Sequence, residues 1–266
     1  MSVTQIDTRN VKATKSVRDV VADAEWRTRV DLAACYRLIL RFGMHDQIYN
    51  HISARVPGGE DGHFLINAWG LHYSEVTASN LYKIDLDGNV VLKPDAPFGV
   101  NTAGFLIHSA VHAARSDLTC VIHTHTRAGM AVSAMKHGLM PLNQVAMRFY
   151  RSTGFHDFEE PFSDISERER IARDLGGHDV LIMRNHGLLA GGRSIPEAFN
   201  TMYWLEQACQ VQVDVMASGA ELVLPREEIA LKMAARYKNH PERVMGMLEW
   251  DAMIRLLDRE DPGYRD

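Results

Sequence analysis

The sequence contains few cysteines, no long apolar run and no excess of positive charge. Its 266 residues include only three cysteines, Cys35, Cys120 and Cys209. Their odd number and wide spacing predict neither a disulfide framework nor a Cys-x-x-Cys metal knuckle. No apolar run approaches the length of a membrane span, and the amino-terminal residues form no secretory apolar core. Because the net charge is −5, nothing favours nucleic acid or an anionic membrane as a partner. These features predict a cytoplasmic protein.

Glycine-rich nucleotide-binding motifs are also absent. Neither G-x-G-x-x-G nor a P-loop pattern occurs, so we expect no nucleotide site, and we interpret Gly191-Gly192 as a turn after a strand. The hydrophobic content of 46% and charged content of 24% are those of an ordinary globular protein. The chain is long enough for a substantial core.

Apolar periodicity predicts alternating helices and strands along the chain. Helices are expected from Asp23 to Gly43, from Thr102 to Arg115, from about Arg127 to Lys136, after a capping box at Ser166 and Glu169, and from Pro196 to Ala217 after a second box at Ser194 and Glu197. Strands are expected at residues 48–56 and 63–67, in a hairpin over 82–92 that turns at Asp87-Gly88, and before His125 and His186. Two further helices, split by His240-Pro241, follow residue 219. This order predicts an α/β fold with a mixed sheet covered on both faces.

Two strand-like segments bring histidines to the end of the predicted sheet. In Cys120-Val-Ile-His-Thr-His125, the imidazoles at i and i+2 share one face of a strand. The run from Asp179 ends in His186, with Gly187 behind it. Hydrogen-bonded strand histidines are the alternative for either segment alone, but together they predict a three-histidine metal site at His123, His125 and His186.

A second pair of histidines lies on one face of a predicted helix. His108 and His112 stand at i and i+4 between residues 102 and 115. Without an acidic residue between them, the pair is more typical of packing or of support for a site than of metal ligation.

Six motifs in a fixed order resemble the class II aldolase/adducin family, and they are most similar to its adducin-like bacterial branch. The resemblance covers about Asp23 to Ala217. The motifs are Asn50-His-Ile-Ser-Ala-Arg, Phe64-Leu-Ile-Asn-Ala-Trp-Gly70, Asp85-Leu-Asp-Gly-Asn-Val, Asn101-Thr-Ala-Gly-Phe, Val121-Ile-His-Thr-His and Arg184-Asn-His-Gly.

The resemblance implies a three-layer α/β/α domain with a central mixed, largely antiparallel sheet. It also implies a homotetramer with active sites near subunit interfaces, and the metal ligands His123, His125 and His186. The bound divalent metal is expected to be zinc, with manganese or iron as alternatives. The domain is predicted over residues 23–218, after a tail at 1–22 and before a helical extension at 219–266.

Two departures from the family pattern bear on the chemistry. The metal-dependent aldolases carry a glutamate as acid/base where this chain has Gly104, and a glycine can neither accept a proton nor bind a metal. The family's phosphate-binding Gly-Asn pair is matched by Asn50-His51, and its Ser-Ser pair by Thr102-Ala103. The resemblance therefore implies a substrate that is not phosphorylated, with Ser53, Gly70 and Thr102 kept as substrate-binding positions.

These observations predict a metal-dependent lyase that acts on a small carbonyl or hydroxy acid. A metal with an open position can polarise a carbonyl and hold the enolate that carbon–carbon cleavage or decarboxylation leaves. Candidate proton donors are Tyr150, His51 and His108, and Arg148 is a candidate carboxylate ligand. Two alternatives remain: a non-catalytic interaction module similar to the adducin head, and a non-haem iron oxygenase, which usually has a carboxylate ligand.

Overall fold

A computed structural model describes residues 16–58, 62–96, 98–159, 166–238 and 246–266. Most of the predicted tail at residues 1–22, and the break at His240-Pro241, lie outside these ranges. The described helices are α1 Val17–Val20, α2 Asp23–Arg41, α3 Thr102–Ala114, α4 Arg127–Ser133, α5 Glu167–Leu175, α6 Ile195–Ala217, α7 Glu227–Lys238 and α8 Met247–Glu260. The described strands are β1 His51–Arg55, β2 Phe64–Ile66, β3 Tyr82–Ile84, β4 Val90–Leu92, β5 Cys120–Thr124, β6 Thr153–His156, β7 Val180–Met183 and β8 Gly187–Gly192.

The strands form one eight-stranded sheet in the order β4-β3-β2-β1-β5-β8-β7-β6. Only β6 and β7 pair in parallel, and every other neighbouring pair is antiparallel. This confirms the predicted mixed, largely antiparallel sheet. Because β5 lies between β1 and β8, residues from these three strands and the turns beside them meet at one edge of the sheet, the one at the carboxyl end of β5.

Helices cover both faces of the sheet. Along β5, Cys120 and Ile122 belong to a core shared with α2, α6 and α8. Val121 belongs to a separate core with α3 and α5. Side chains in a strand alternate between faces, so His123 lies on the α3 side of the sheet.

Two local predictions were wrong. Gly191 and Gly192 are the last residues of β8 rather than a turn, because a Cβ at Gly192 would collide with the backbone nitrogen of Ala198, and only glycine lets α6 begin against the strand. Ser166 makes no side-chain cap at the start of α5. Its hydroxyl instead accepts a 2.6 Å hydrogen bond from Arg170.

Other local predictions are confirmed. The Ser194 hydroxyl caps α6 by accepting from the backbone N–H of Glu197 at 3.2 Å, with Pro196 in the first turn. The β3–β4 hairpin turns at Gly88, whose φ of +89° falls in the region that glycine favours.

The carboxyl-terminal residues pack on the body of the domain. Trp250, Leu257 and Tyr264 join the core of α2 and α6, and Arg37 of α2 forms a 2.7 Å ion pair with Asp261. Among the described helices, none combines the length and apolar content needed to cross a bilayer.

Candidate metal centre

Three histidines converge at the edge of the sheet where β5 ends and β7 turns into β8. The Nε2 atom of His125 lies 2.9 Å from that of His123 and 3.0 Å from that of His186, and the third separation is 3.3 Å. They are the one group of metal-binding side chains found among the described residues. The structure thus brings together all three predicted ligands.

The backbone at this edge is shaped by the residues around His186. Asn185 adopts a φ of +55° in the turn after β7, a conformation that asparagine tolerates better than most residues. Gly187 then starts β8, where a Cβ would collide with the carbonyl oxygen of Thr124 and lie 3.2 Å from the His125 ring. Glycine at 187 therefore lets the two strands approach closely enough for the imidazoles to meet.

Hydrogen bonds on the far side of two rings fix where their protons lie. His123 Nδ1 is 2.9 Å from the carbonyl oxygen of Leu188, and His125 Nδ1 is 3.1 Å from a carboxylate oxygen of Asp46. Both oxygens can only accept, so each Nδ1 carries the proton and each Nε2 presents a lone pair. Carboxylate or carbonyl partners of this kind hold metal-binding histidines in many proteins.

Two of the three rings, those of His123 and His186, are held neutral. Burial lowers the pKa of His123 well below its ordinary value, and the neighbouring His186 and His125 lower it further. Burial, followed by His125, lowers the pKa of His186 to about 4. Two lone pairs facing each other at 2.9 Å repel unless a cation lies between them, so this donor set fits a divalent metal ion. The three separations are close to the roughly 3.3 Å between ligand atoms of a tetrahedral zinc site with bonds of about 2.0–2.1 Å.

His51 stands next to the cluster and fills the space beside Gly104. Its ring is stacked parallel to that of His123, with centroids 6.5 Å apart. A Cβ built on Gly104 would lie only 2.6 Å from Cγ and Cδ2 of His51. The imidazole and a side chain at residue 104 therefore exclude each other.

Asn101 sets the orientation of the His51 ring. Its Oδ1 caps α3 by accepting from the backbone N–H of Ala103 at 2.9 Å, so its amide nitrogen faces His51 Nε2, also at 2.9 Å. His51 Nε2 must then accept, and the proton lies on Nδ1, a buried atom with no hydrogen-bond partner among the described residues. Burial lowers the pKa of His51 well below its ordinary value, so the ring is a neutral donor.

Ser53 and His108 lie behind His51. The Ser53 hydroxyl is 2.5 Å from His108 Nδ1 and 2.8 Å from His112 Nε2, and all three side chains are buried. Burial lowers the pKa of both histidines to about 3. The i, i+4 pair thus shares one serine and supports the wall of the site.

Gly70 and Thr102 lie at the same edge as the cluster. Gly70 has a φ of +102° and packs against Phe98, while Thr102 is the first residue of α3. Four exposed aromatic side chains border this region, namely Tyr49, Trp69, Phe98 and Phe158. The Phe158 ring meets His186 edge-on, at a centroid distance of 6.1 Å.

Tyr150 and Arg148 lie at the opposite end of the sheet. They precede β6, whose first residue, Thr153, pairs with Val180, whereas its last residue pairs with Met183 beside the cluster. The Tyr150 hydroxyl donates to Glu227 at 3.0 Å. The Arg148 guanidinium packs over the ring of Tyr237, 4.0 Å from its centroid. Within one chain, these two candidates do not join the other site residues.

Sequence reasoning missed Asp46 and Asn101. Asp46 lies in an irregular segment before β1, where no periodic pattern indicates which way a side chain points. Asn101 could have been found, because an asparagine directly before a predicted helix is a typical N-cap.

Comparison with known proteins points to one family. Residues 30–213 match the family model for the class II aldolase and adducin N-terminal domain. The chain is 46% identical to a Pseudomonas aeruginosa protein assigned to aldolase class 2, over 94% of this chain and 96% of that protein. It is 42% identical to mouse alpha-adducin over 89% of this chain but only 33% of the adducin.

Solved structures show the same fold. An aldolase II superfamily protein from Pseudomonas syringae has a TM-score of 0.89 and 47% identity, covering 95% of this chain and all of that chain. L-fuculose 1-phosphate aldolase from Glaciozyma antarctica has a TM-score of 0.80 and 25% identity, covering 96% of this chain and 97% of its own. The chain therefore belongs to the class II aldolase/adducin family.

Proposed function

We propose that the protein is a metal-dependent lyase that cleaves a carbon–carbon bond, by aldol cleavage or decarboxylation, in a small unphosphorylated carbonyl compound or hydroxy acid. The observation that carries this proposal is the pair of Nε2 lone pairs on His123 and His125, directed at one point together with His186. Likeness to a fuculose-phosphate aldolase supports the same class of reaction.

A bound divalent ion, zinc first and manganese or iron as alternatives, would supply a Lewis acid that polarises a substrate carbonyl. His123, His125 and His186 would hold it, and Asp46 and the Leu188 carbonyl would keep two of these rings in the binding tautomer. His51 would act as a neutral donor, because its Nδ1–H has no other partner among the described residues; since that atom is covered, the ring would have to turn to present it to a substrate oxygen. Such a group stabilises developing negative charge without carrying a charge of its own.

An unphosphorylated substrate is supported by the surroundings of His51. The two positions that match the family's phosphate-binding pair, Asn50 and His51, are both buried, and the His51 ring is already bonded to Asn101. Gly70 and Thr102 remain candidate substrate contacts at the cluster's edge. Ser53 and His108 act through His51 in this proposal, because each is fully covered.

Tyr150 as proton donor and Arg148 as carboxylate ligand require a neighbouring copy of the chain, since both lie far from their own cluster. The exposed aromatic side chains beside the cluster support such an assembly, which we propose to be the family's tetramer. A test is to mix inactive His123→Ala and Tyr150→Phe subunits. Recovered activity supports a shared site, and none from properly mixed oligomers refutes this role of Tyr150.

The test of the metal centre is elemental analysis of the untagged protein before and after chelation. We expect about one transition metal ion per chain, lost in His123→Ala, His125→Ala and His186→Ala but kept in the exposed control His137→Ala. Full retention in all three site variants refutes the centre. Iron together with oxygen uptake on turnover would instead favour the oxygenase.

The second candidate is a non-catalytic interaction module, favoured by the 42% identity to alpha-adducin. A folded protein that takes up no zinc, manganese or iron would support this candidate. A cytoplasmic location remains part of our proposal, supported by the three buried free thiols of Cys35, Cys120 and Cys209.

A further inference from the structure

A small pocket adjoins the histidine cluster and is lined in part by His186. Ala103 and Ile107 of α3 form an apolar wall. His156, at the end of β6, and Glu167, at the start of α5, form a polar wall. A group held near the three histidines can therefore extend directly between these two walls.

The polar wall has an unused hydrogen-bonding atom. His156 is 2% exposed, and its Nδ1 lies 2.8 Å from a carboxylate oxygen of Asp174. A Cβ at Gly154 would collide with the Asp174 carbonyl, so glycine there lets α5 approach β6 closely. The Nε2 atom of His156 has no hydrogen-bond partner among the described residues. The carboxylate oxygen of Glu167 is 3.7 Å away, too far for a hydrogen bond.

Glu167 is the second polar group of this wall. Its side chain is 13% exposed, and burial raises its pKa above the ordinary value. Two neighbouring charged groups have other partners: Arg184 donates to the carbonyls of Met135 and Lys136, and Glu159 is paired with Arg170. The third, Asp157, is exposed to solvent. His156 and Glu167 are thus the groups placed to meet a ligand.

We propose that this pocket receives a neutral hydroxyl group at the end of the substrate remote from the metal-binding carbonyl. The inference rests on the proposed lyase function and narrows its substrate to hydroxylated carbonyl compounds without an anionic end. A hydroxyl both donates and accepts, so it can form hydrogen bonds with His156 Nε2 and with a Glu167 oxygen, and it thereby satisfies a buried polar atom that otherwise costs stability.

Size and charge both exclude a phosphate or carboxylate here. The free space is about 20 Å³, room for about one water-sized group. An anion would also meet the carboxylate of Glu167, with that of Asp174 behind His156, and like charges repel at this range. The one cation among the described lining residues, Arg184, directs guanidinium N–H groups to the carbonyls of Met135 and Lys136.

The experiment measures ligand affinity on the cobalt-loaded protein by its visible absorption spectrum, which needs no turnover. The probes are hydroxyacetone, dihydroxyacetone and erythrulose, which differ in their terminal hydroxyl groups, and dihydroxyacetone phosphate. We expect dihydroxyacetone or erythrulose to bind about tenfold tighter than hydroxyacetone, the worth of one good hydrogen bond, and the phosphate to bind more weakly than dihydroxyacetone.

Variants separate the pocket from the metal centre. The affinity ratio is the affinity for dihydroxyacetone or erythrulose divided by that for hydroxyacetone. In Glu167→Leu and His156→Phe, this ratio should fall to within about twofold of one, while the affinity for hydroxyacetone stays unchanged. The exposed control on the same helix, Glu169→Leu, should keep the wild-type ratio. If His156→Phe does not fold, the affinity ratio of Glu167→Leu alone tests the proposal.

The outcomes are distinguishable. Equal affinities for hydroxyacetone, dihydroxyacetone and erythrulose, tighter binding of the phosphate, or an unchanged affinity ratio in Glu167→Leu overturns the pocket proposal alone. Failure of every ketone to change the cobalt spectrum overturns the metal-centred function, and the pocket proposal with it.

Discussion

The steric exclusion between His51 and residue 104 leads to a quantitative prediction. Gly104→Ala places a methyl group 2.6 Å from two ring atoms of His51, where carbon atoms in contact stand about 3.5–4.0 Å apart. The ring cannot retreat freely, because Asn101 holds Nε2 on one side and His108 lies on another. We therefore expect the substitution to strain the wall of the site.

Two opposing effects set how much Gly104→Ala changes the free energy of unfolding. Overpacking a buried site costs about 1–3 kcal/mol, whereas replacing a helical glycine with alanine gains at most about 1 kcal/mol. In the wild type, Gly104→Ala should therefore lower the free energy of unfolding by up to about 2 kcal/mol. In a His51→Ala background the clash is gone, and the same change should raise it by up to about 1 kcal/mol.

Urea denaturation of the wild type, both single variants and the double variant measures this coupling. We expect a coupling energy of about 1–3 kcal/mol, with the effect of Gly104→Ala changing sign between backgrounds. The same effect of Gly104→Ala in both backgrounds would show that the two residues do not compete for space.

The same geometry bears on attempts to restore a family-type acid/base. Glutamate at residue 104 cannot enter beside His51, so Gly104→Glu alone should reduce folding yield rather than raise aldol cleavage. The double variant His51→Asn with Gly104→Glu has the necessary room. Aldol cleavage by the double variant alone would agree with this reasoning, whereas a well-folded, active Gly104→Glu protein would contradict it.

Further expectations concern the groups around the site and the pH dependence of stability. Asp46→Asn should weaken metal affinity about 10- to 100-fold through His125 without changing the fold; a metal titration showing no change would exclude a positioning role. Ser53→Ala leaves two imidazole nitrogens unpaired and should cost about 1–3 kcal/mol in urea denaturation, whereas Ser109→Ala, which loses only a hydrogen bond within its own helix, should cost clearly less. Burial raises the pKa of Asp31 to about 6, so the folded state binds the extra proton and stability should fall as pH rises from about 4 to 6. Asp31→Asn should remove that fall, and an unchanged urea midpoint profile would contradict it.

Much of the fold follows from local sequence. The capped helix after Ser194, the hairpin at Asp87-Gly88 and the helix from Asp23 depend on periodicity and turn chemistry within a few residues. The local predictions that failed were overridden by competing contacts with residues close in the chain. Ser166 accepts a hydrogen bond from Arg170 instead of capping its helix, and Gly192 is extended with the start of α6 packed against it.

The sequence alone also predicted which three histidines converge, because i, i+2 spacing in a buried strand directs two imidazoles to one side and His186 follows a similar strand. Only the tertiary structure decided what surrounds them. In the structure, His125 is paired with Asp46, and His51 fills the space beside Gly104. Tyr150 and Arg148 lie at the opposite end of the sheet from the histidine cluster of the same chain. These contacts join residues tens of positions apart in the sequence. The distances between such residues depend on strand order and register, which no local sequence pattern predicts.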